Sequence, residues 1–404
     1  MLEVGNARVF LGDCREVLKA LPDNSIDSVV TDPPYELGFM GKKWDSAGIA
    51  YDVTVWEECL RVLKPGGHIL AFGGPRTFHR MAVAIEDAGF EIRDSIAWIS
   101  SKTFPKSLNV RKAIDKAGVD GSAWEGWGTG LKQVVEPIVM GRKPLVGTVA
   151  ANVLEHGVGG LNIDASRVAA DMSEFVSATG KPRSGMGHAH GFAMGDGYGG
   201  ENANPPNALG RWPANVILDE YSAGLLDEQS GVLTSGARKP NVNKSQASEN
   251  VASFSKGMEG KIYPYTANAD SGGASRFFYC AKASKRDRNE GLDGLADGVA
   301  GSFEGNVAEL SGRKIGANPD KPNQPGKNTH PTVKPTSLMR YLIKLVTPAG
   351  GTVLDPFTGS GSTGKAALLD GYKFVGAELT EEYLPIIEGR LTWAQENTDT
   401  GTLL

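Results

Sequence analysis

Short apolar segments rich in β-branched residues alternate with helical segments in the first 147 residues of this 404-residue chain, and again from residue 329 onward. Glycine and proline close several of these segments, as at residues 64–67 and 348–351. Strands that alternate with helices are typical of a doubly wound, mostly parallel sheet that carries helices on both faces. The alternation therefore predicts an α/β fold.

The alternation is lost between about residues 148 and 328. Residues 180–206 are rich in glycine, serine, asparagine and proline, and glycine supplies 53 of the 404 residues, nearly twice the usual fraction of about 7%. Such a composition predicts long surface loops with little apolar surface to bury. We therefore expect one catalytic domain in two parts, 1–147 and 329–404, separated by a loop-rich insert, 148–328.

The bulk composition limits the class of protein. Hydrophobic residues make up 40% of the chain and charged residues 22%, which is typical of a globular protein. The net charge of −5 means that any nucleic-acid surface must be local. We find no apolar run long enough to cross a bilayer and no paired cysteine spacing, so we expect a cytoplasmic protein with reduced thiols and no membrane partner.

Histidine and cysteine spacings typical of metal sites are missing. His188 and His190 come nearest to one, but they lie in a glycine-rich stretch where exposed histidines are the commoner interpretation. We therefore expect no metal cofactor.

The target-amine motif, Asp-Pro-Pro-Tyr at residues 32–35, directly follows an apolar run at residues 26–30. Proline cannot donate to a strand ladder, and the residue before proline is extended, so the strand should end in a stiff elbow. A carboxylate, a backbone carbonyl and an aromatic ring can together hold a planar amine, through two acceptors and a stacking face. The structural alternative is a proline-rich turn capped by Asp32.

The cofactor loop, residues 355–361, follows a second apolar run at residues 352–354. Its glycines allow the backbone to approach a ligand closely, and Glu378 ends the next predicted strand, where an acid can accept hydrogen bonds from ribose hydroxyls. We interpret residues 355–378 as a site for S-adenosylmethionine, in which the carboxylate of Asp355 suits an ammonium group.

A phosphate-binding loop is the rival interpretation, because Gly359-Ser-Gly-Ser-Thr-Gly-Lys365 nearly spells one. The next residue is Ala366, where such a loop has a Ser or Thr hydroxyl for magnesium. Asp355 would also repel a triphosphate. A nucleotide hydrolase is therefore the less favoured alternative.

Other residues carry weaker signals. Asp13 lies between a predicted strand and helix, where an N-cap and a ligand-facing carboxylate are equally good interpretations. Residues 36–51 contain large apolar groups and read as a lid over a base or cofactor. Residues 276–290 hold five basic residues beside aromatic ones, typical of a strip that contacts a nucleic-acid backbone. The DNA-binding candidates are Phe39, Lys106, Arg276, Lys285, Arg286 and Arg288.

Together with His330-Pro-Thr-Val-Lys-Pro335 just upstream of the cofactor loop, the two motifs resemble those of the amino-group DNA methyltransferases. The order, target-amine motif first and cofactor loop last with an insert between, is similar to the beta class of that family. The resemblance covers about residues 1–145 and 329–404. It implies a Rossmann-like, seven-stranded methyltransferase sheet, circularly reordered in sequence, with a recognition insert.

The resemblance also implies a reaction, partners and roles. Members transfer methyl from S-adenosylmethionine to adenine N6 or cytosine N4 of double-stranded DNA. The resemblance also implies a bacterial or phage protein, which could form a homodimer and have a cognate restriction enzyme as partner. The catalytic residues implied are Asp32, Pro33, Pro34 and Tyr35. The cofactor residues implied are Asp13, Lys334, Pro335, Asp355, Phe357, Thr358, Gly359, Ser360, Gly361 and Glu378, with Lys334 and Pro335 at the amino-acid end of the cofactor.

Three other methylations are less favoured. Asp rather than Ser before Pro-Pro-Tyr favours adenine, with cytosine N4 as the alternative. Methylation of cytosine C5 requires an attacking thiolate, and none of Cys14, Cys59 or Cys280 follows a proline. Methylation of a protein glutamine uses a motif that usually starts with Asn, and the long basic insert also argues against it.

Overall fold

The computed structural model describes residues 1–37, 45, 47–101, 105, 107–169, 210–235, 270–282, 285–297 and 326–398. The chain forms two compact units, one from Met1–Ser166, Pro213–Ala223 and Phe278–Leu404, the other from Arg167–Trp212 and Gly224–Phe277. The predicted insert, 148–328, contributes residues to both units. Parts of that segment belong to the first unit because they supply edge strands of its sheet.

The described residues contain twelve strands and ten α-helices. The strands are β1 Leu2–Val4, β2 Ala7–Leu11, β3 Ile26–Thr31, β4 Leu63–Phe72, β5 Glu91–Ile99, β6 Val135–Arg142, β7 Val216–Asp219, β8 Leu233–Ser235, β9 Asp270–Gly272, β10 Tyr279–Ala281, β11 Thr352–Asp355 and β12 Lys373–Glu378. The helices are α1 Cys14–Lys19, α2 Val53–Val62, α3 Phe78–Asp87, α4 Val110–Lys116, α5 Val149–His156, α6 Glu220–Ser230, α7 Lys285–Asn289, α8 Thr336–Val346, α9 Ser362–Leu369 and α10 Leu384–Glu396.

The first unit is built on one ten-stranded sheet in the order β1-β2-β12-β11-β3-β4-β6-β5-β7-β10. The seven consecutive strands from β2 to β5 form its centre, and β6 alone among them runs antiparallel to its neighbours, β4 and β5. The predicted α/β class with a Rossmann-like methyltransferase sheet is confirmed. Residues 135–142 form β6, which lies inside the sheet between β4 and β5.

The C-terminal strands explain the reordering in sequence. β11 and β12 insert between β2 and β3, which come from the start of the chain. β11 pairs in parallel with β3, with Leu354 opposite Val29. The strand order reverses between these two strands, and ligands of open α/β sheets bind outside the carboxyl ends of the strands at such a switch point.

Helices cover both faces of the sheet. Leu338 and Ile387, from α8 and α10, lie in the hydrophobic cluster on one face, whereas Leu18, Trp56 and Ile85, from α1, α2 and α3, lie in the cluster on the other. All six residues of β3 are buried. Ile26, Val29 and Val30 supply the β-branched, apolar character by which this buried strand could be recognised, although Asp27 and Ser28 interrupt it.

Residues 64–67 were predicted to close a helix, but α2 ends at Val62 and β4 begins at Leu63. A register shift between β3 and β4 accommodates the extra residues of β4 as a bulge. Within the described part of the chain, no helix is both long and apolar enough to cross a membrane.

Candidate active site

A cavity of about 570 Å³ opens at the carboxyl ends of β3 and β11. The target-amine motif and most of the cofactor loop line the same cavity, so the topology brings together two motifs that lie more than 300 residues apart. The predicted residues that line it are Asp13, Asp32, Pro33, Pro34, Tyr35, Lys334, Asp355, Phe357, Thr358, Gly359, Ser360 and Glu378.

Two predicted cofactor residues do not line this cavity. Pro335 is the N-cap residue of α8, and Gly361 is the N-cap residue of α9. Gly361 has φ of +75°, a left-handed conformation in which glycine is strongly preferred. The structure therefore gives both residues a role in starting helices.

The carboxylate of Asp355 is satisfied by the chain itself. It accepts hydrogen bonds from the hydroxyls of Thr31, at 2.6 Å, and Thr363, at 2.5 Å. The backbone N–H of Phe357 donates to it at 3.0 Å. Burial raises the pKa of Asp355 to about 6, although these hydrogen bonds favour the charged form. Asp355 thus links the end of β3 to the cofactor loop.

The carboxylate of Glu378 supports the same loop from the end of β12. It accepts from the backbone N–H groups of Gly359, at 2.7 Å, and Thr380, at 2.8 Å. Burial raises the pKa of Glu378 to about 7. Gly359 itself has φ of +54°, and a Cβ atom built there would lie 3.1 Å from the ring of His330. The loop backbone is therefore fixed by side chains from three directions.

Asp13 caps a helix and also lies in the lining of the cavity. Its side chain caps α1 by accepting from the N–H of Arg15 at 3.0 Å, and it forms an ion pair with the Arg15 guanidinium at 2.6 Å. This pairing holds the pKa of Asp13 below its usual range. Asp13 also lines the cavity.

The target-amine motif lies in a four-residue charged cluster. Lys334 Nζ lies 2.7 Å from Asp32 Oδ2 and 3.3 Å from Glu136 Oε2. The Tyr35 hydroxyl donates to Glu136 Oε2 at 2.8 Å and lies 3.1 Å from Lys334 Nζ. The other carboxylate oxygen, Asp32 Oδ1, is buried and accepts no hydrogen bond from the described residues. A buried acceptor without a donor is costly and requires a functional explanation.

Glu136 could not be identified from the sequence because its position depends on strand direction. The N-terminal end of an antiparallel strand lies at the edge where the parallel strands end, so β6 carries Glu136 to the cavity. The local sequence offers one indication of a functional role for Glu136, namely that it is a charged residue in a mostly apolar strand. Trp98, from β5, also lines the cavity, and its Nε1 is buried without a partner among the described residues.

The DNA-binding candidates differ in their surroundings. Arg286 has an 85% exposed side chain beside Glu290, whereas Arg288 turns inward and donates to the carbonyls of Asn328 and His330. Burial lowers the pKa of Arg288, which lines the cavity. Its assignment to a DNA strip is therefore corrected. Phe39, Lys106, His188, His190 and the side chain of Lys285 lie outside the described part of the structure.

Arg276 belongs to the second unit. Its guanidinium donates to the carbonyls of Gly272, at 2.7 Å, and Gly273, at 2.8 Å, and lies 4.3 Å from the ring centre of Phe277. These contacts show that Arg276 supports its own turn.

The surroundings of Lys365 test whether residues 359–365 form a phosphate-binding loop. Its side chain is fully buried, and Nζ pairs with Asp287 at 2.8 Å and Glu290 at 2.9 Å. Lys365 does not line the cavity. A lysine neutralised in this way cannot bind a nucleotide phosphate, so the loop is not that of a nucleotide hydrolase.

The charges of the cavity suit the predicted cofactor. Six carboxylate side chains and three cationic ones line it among the described residues. An excess of acid favours a ligand with a sulfonium and an ammonium group. Among those residues, no group of three or more His, Cys, Asp and Glu is arranged to hold a metal ion.

Comparison with known proteins agrees with the geometry. A sequence model of the DNA methylase family whose members modify N6 and N4 amino groups matches residues 26–162 and 229–389. The chain belongs to this family, and S-adenosylmethionine is the family's methyl donor. DNA is accordingly the substrate class of the family.

Two similar proteins are type II methyltransferases of Haemophilus influenzae. M.HindIII is 32% identical over 116 residues, which are 27% of this chain and 38% of that protein. M.HinfI is 29% identical over 122 residues, 26% of this chain and 34% of that protein. The chain thus matches little more than a third of the length of either relative.

Solved structures with similar folds include the PvuII DNA methyltransferase (cytosine-N4-specific), at 14% identity and a TM-score of 0.43, with 96% of this chain and 86% of that chain covered. The structure of M1.HpyAVI has 14% identity and a TM-score of 0.40, with 95% and 98% covered.

Proposed function

We propose that this protein transfers a methyl group from S-adenosylmethionine to the exocyclic N6 of adenine in duplex DNA. One observation carries the proposal: the carboxylate of Asp32 and the glycine-containing cofactor loop line one cavity at the switch point of the sheet. A methyl donor and an acceptor amine bound there would be close enough to react.

Asp32 and the neighbouring backbone would activate the amine. An exocyclic amine is a weak nucleophile because its lone pair is delocalised into the ring. The unpartnered Asp32 Oδ1 and the carbonyl of Pro33 would each accept one N–H bond and favour a pyramidal nitrogen. The lone pair then points away from the two acceptors. As the N–C bond forms, the S–C bond would break and leave a neutral thioether, and the surplus amine proton would pass to Asp32 or to solvent. Positioning and electrostatics supply most of the acceleration.

The cofactor loop and its neighbours would hold the methyl donor. S-Adenosylmethionine, when bound, supplies an electrophilic methyl group on a positively charged sulfur. Phe357, Thr358 and Gly359 would contact it from the loop, and Asp13 and Glu378 from the ends of neighbouring strands. Glu378 already accepts two backbone N–H bonds, so its remaining acceptor capacity would receive ribose hydroxyls.

The target base must leave the duplex to enter such a cavity, which costs a few kcal/mol of unstacking. Tyr35 would replace the lost stacking, worth roughly 1–3 kcal/mol per base. Its ring is held from both ends, because Thr77 Oγ1 donates to the Tyr35 carbonyl at 2.8 Å while the hydroxyl donates to Glu136. A fixed ring loses little entropy when a base stacks on it.

Analysis of the product tests the proposal. The protein would be incubated with methyl-labelled S-adenosylmethionine and unmodified genomic DNA, and the DNA digested to nucleosides. We expect label in N6-methyladenine. Label in N4-methylcytosine would keep the enzyme class but reject adenine, and label in protein glutamine or in no product would reject the function.

Arg286 is the described residue best placed to contact the DNA backbone, and Arg288 provides a matched control. We expect Arg286→Ala to weaken DNA binding and to lower the slope of log K against log salt by about 1, because one phosphate contact is lost. Arg288→Ala should lower the melting temperature and leave the slope unchanged, since its guanidinium donates to backbone carbonyls. An unchanged slope for Arg286→Ala, measured by fluorescence anisotropy, would remove it from the interface.

Residues between 148 and 328 would then read the target sequence. The names of the type II relatives support a role in restriction and modification, with a cognate restriction enzyme as partner. We also propose that the protein forms a homodimer and acts in the cytoplasm of a bacterium or of a phage-infected cell. Sedimentation with and without DNA tests the dimer.

A further inference from the structure

Lys334 makes its closest polar contacts with the target-amine motif and Glu136. Its ammonium lies 2.7 Å from Asp32 Oδ2 and 3.3 Å from Glu136 Oε2. It also lies 4.9 Å from the ring centre of Phe72 and 5.3 Å from that of Tyr35. These contacts come from the ends of β3, β4 and β6, so three strands converge on one ammonium group.

The environment of this ammonium keeps it charged and in place. The side chain is only 8% exposed, and burial opposes its charge, but the carboxylates of Asp32 and Glu136 outweigh burial and raise the pKa of Lys334. A buried ion pair that loses one partner leaves the other charge uncompensated, which is strongly destabilising. Lys334 and Asp32 therefore constrain each other.

We propose that Lys334 is a positioning residue for Asp32 and not a ligand of the cofactor's amino-acid end. This inference rests on the proposed function, because it assigns Asp32 to the target amine. Lys334 holds Oδ2 and thereby orients the carboxylate, whereas Oδ1 has no donor among the residues that the structure describes. The target N–H is the donor that Oδ1 lacks.

Glu136 completes the arrangement. With Asp32 and Lys334 it gives a cluster of two negative charges and one positive charge, so the site keeps a net negative charge. That charge stabilises the positive charge that develops on the amine as its bond to carbon forms. Glu136 also accepts from the Tyr35 hydroxyl, so one carboxylate orients both Lys334 and the stacking ring.

Lys334→Met separates this role from a role in cofactor binding. If Lys334 positions Asp32, the variant should bind S-adenosylmethionine within about threefold of the wild-type affinity, whereas kcat for DNA methylation falls at least about tenfold. Lys334→Arg keeps a cation beside both carboxylates and should recover part of kcat. Lys373→Met, at the exposed start of β12, is the matched control and should behave as wild type.

A double-mutant cycle gives a second measurement. In an Asp32→Asn background, Lys334→Met should lower kcat by no more than about threefold further, because residues that act through one another are not additive. Melting temperatures of all variants, with and without S-adenosylmethionine, show whether each one folds and binds.

The outcomes are distinguishable. If Lys334→Met weakens S-adenosylmethionine binding but keeps a normal kcat at saturating cofactor, Lys334 is a cofactor ligand and the inference is wrong. A wild-type kcat in Lys334→Met would also overturn the inference. So would full additivity between Lys334→Met and Asp32→Asn. If Lys334→Met does not fold, the kcat of folded Lys334→Arg is measured instead. A reduced kcat supports the positioning role, whereas a normal kcat means that Lys334 only stabilises the fold. If wild-type protein methylates no DNA, the proposed function fails, and this role fails with it.

Discussion

The neighbouring strands β3 and β11 both end at an Asp-Pro pair, but the two carboxylates have opposite surroundings. Asp355 accepts hydrogen bonds from two hydroxyls and a backbone N–H of its own chain. Asp32 has one oxygen on Lys334 and the other without a donor among the described residues. The first carboxylate is satisfied before any ligand arrives, and the second is incomplete.

This difference suggests a structural role for Asp355 and a chemical role for Asp32 at the same edge of the sheet. Asp355 accepts three hydrogen bonds from its own chain, so this buried carboxylate stabilises the cofactor loop and has little capacity left for a ligand. An incomplete carboxylate gains a hydrogen bond when substrate enters, so its interaction energy is available to the reaction. In the structure the hydroxyls of Thr31 and Thr363 donate to Asp355, the residue for which the sequence suggested an ammonium ligand.

The largest expected effect is that of Asp32→Asn. The amide keeps the size of the carboxylate but loses its charge, so the target N–H loses a charged acceptor. We expect kcat to fall by roughly 10²–10⁴-fold while the affinity for S-adenosylmethionine stays within about threefold. Single-turnover methylation and equilibrium titration measure the two quantities. Turnover within about tenfold of wild type would remove Asp32 from the chemistry.

Glu378→Gln should change how stability depends on pH. Because burial raises the pKa of Glu378 to about 7, the folded protein keeps this proton where the unfolded chain, with a value near 4.5, has lost it. The contribution of Glu378 to the free energy of unfolding therefore falls as pH rises from about 4.5 to 7, by on the order of 3 kcal/mol. Urea unfolding at pH 5 and pH 8 should show a smaller fall in Glu378→Gln. Parallel curves for the two proteins would contradict the assignment.

Asp355→Asn is the direct counterpart of Asp32→Asn. Its amide cannot accept from all three donors, so we expect the free energy of unfolding to fall by about 1–3 kcal/mol. The affinity for S-adenosylmethionine should weaken because the cofactor loop loses its link to Thr31. In contrast to Asp32→Asn, kcat at saturating cofactor should stay within a few-fold of wild type. A collapse of kcat with normal affinity would erase the distinction between the two carboxylates.

The smallest effects distinguish two glycines of the cofactor loop. Gly359→Ala places a methyl group 3.1 Å from the His330 ring and forces a left-handed alanine, at about 1–2 kcal/mol, in a residue that lines the cavity. We expect weaker S-adenosylmethionine binding. Gly361→Ala has a similar backbone cost but meets Ile387 at 3.5 Å, an ordinary contact, outside the cavity lining. It should lower the melting temperature and leave cofactor affinity nearly unchanged.

Much of the site was predictable from local sequence. Residues 26–30 and 352–354 could be predicted to form β3 and β11 because short segments rich in β-branched and apolar residues are typical of buried strands. The polar residues after them had to lie at one sheet edge, because parallel strands end there together. The paired motifs therefore indicate both the fold and the methyltransferase family from the sequence alone.

Glu136, Arg288 and Lys365 were decided by the tertiary structure. Glu136 reaches the cavity only because β6 runs antiparallel, and strand direction has no local signature. Arg288 and Lys365 look like free cations in sequence. In the structure Arg288 is half-buried and donates to backbone carbonyls, and Lys365 is fully buried against carboxylates.

The sequence by itself determined the elements, the order of the two motifs and the residue types that the chemistry requires. The tertiary structure decided which carboxylate keeps an oxygen without a hydrogen-bond donor among the described residues. The ammonium group beside Asp32 belongs to Lys334, which lies 302 positions away in the sequence. Local propensities fix strands, turns and caps over a few residues. The partner of a buried charge is fixed only when the sheet brings distant segments together.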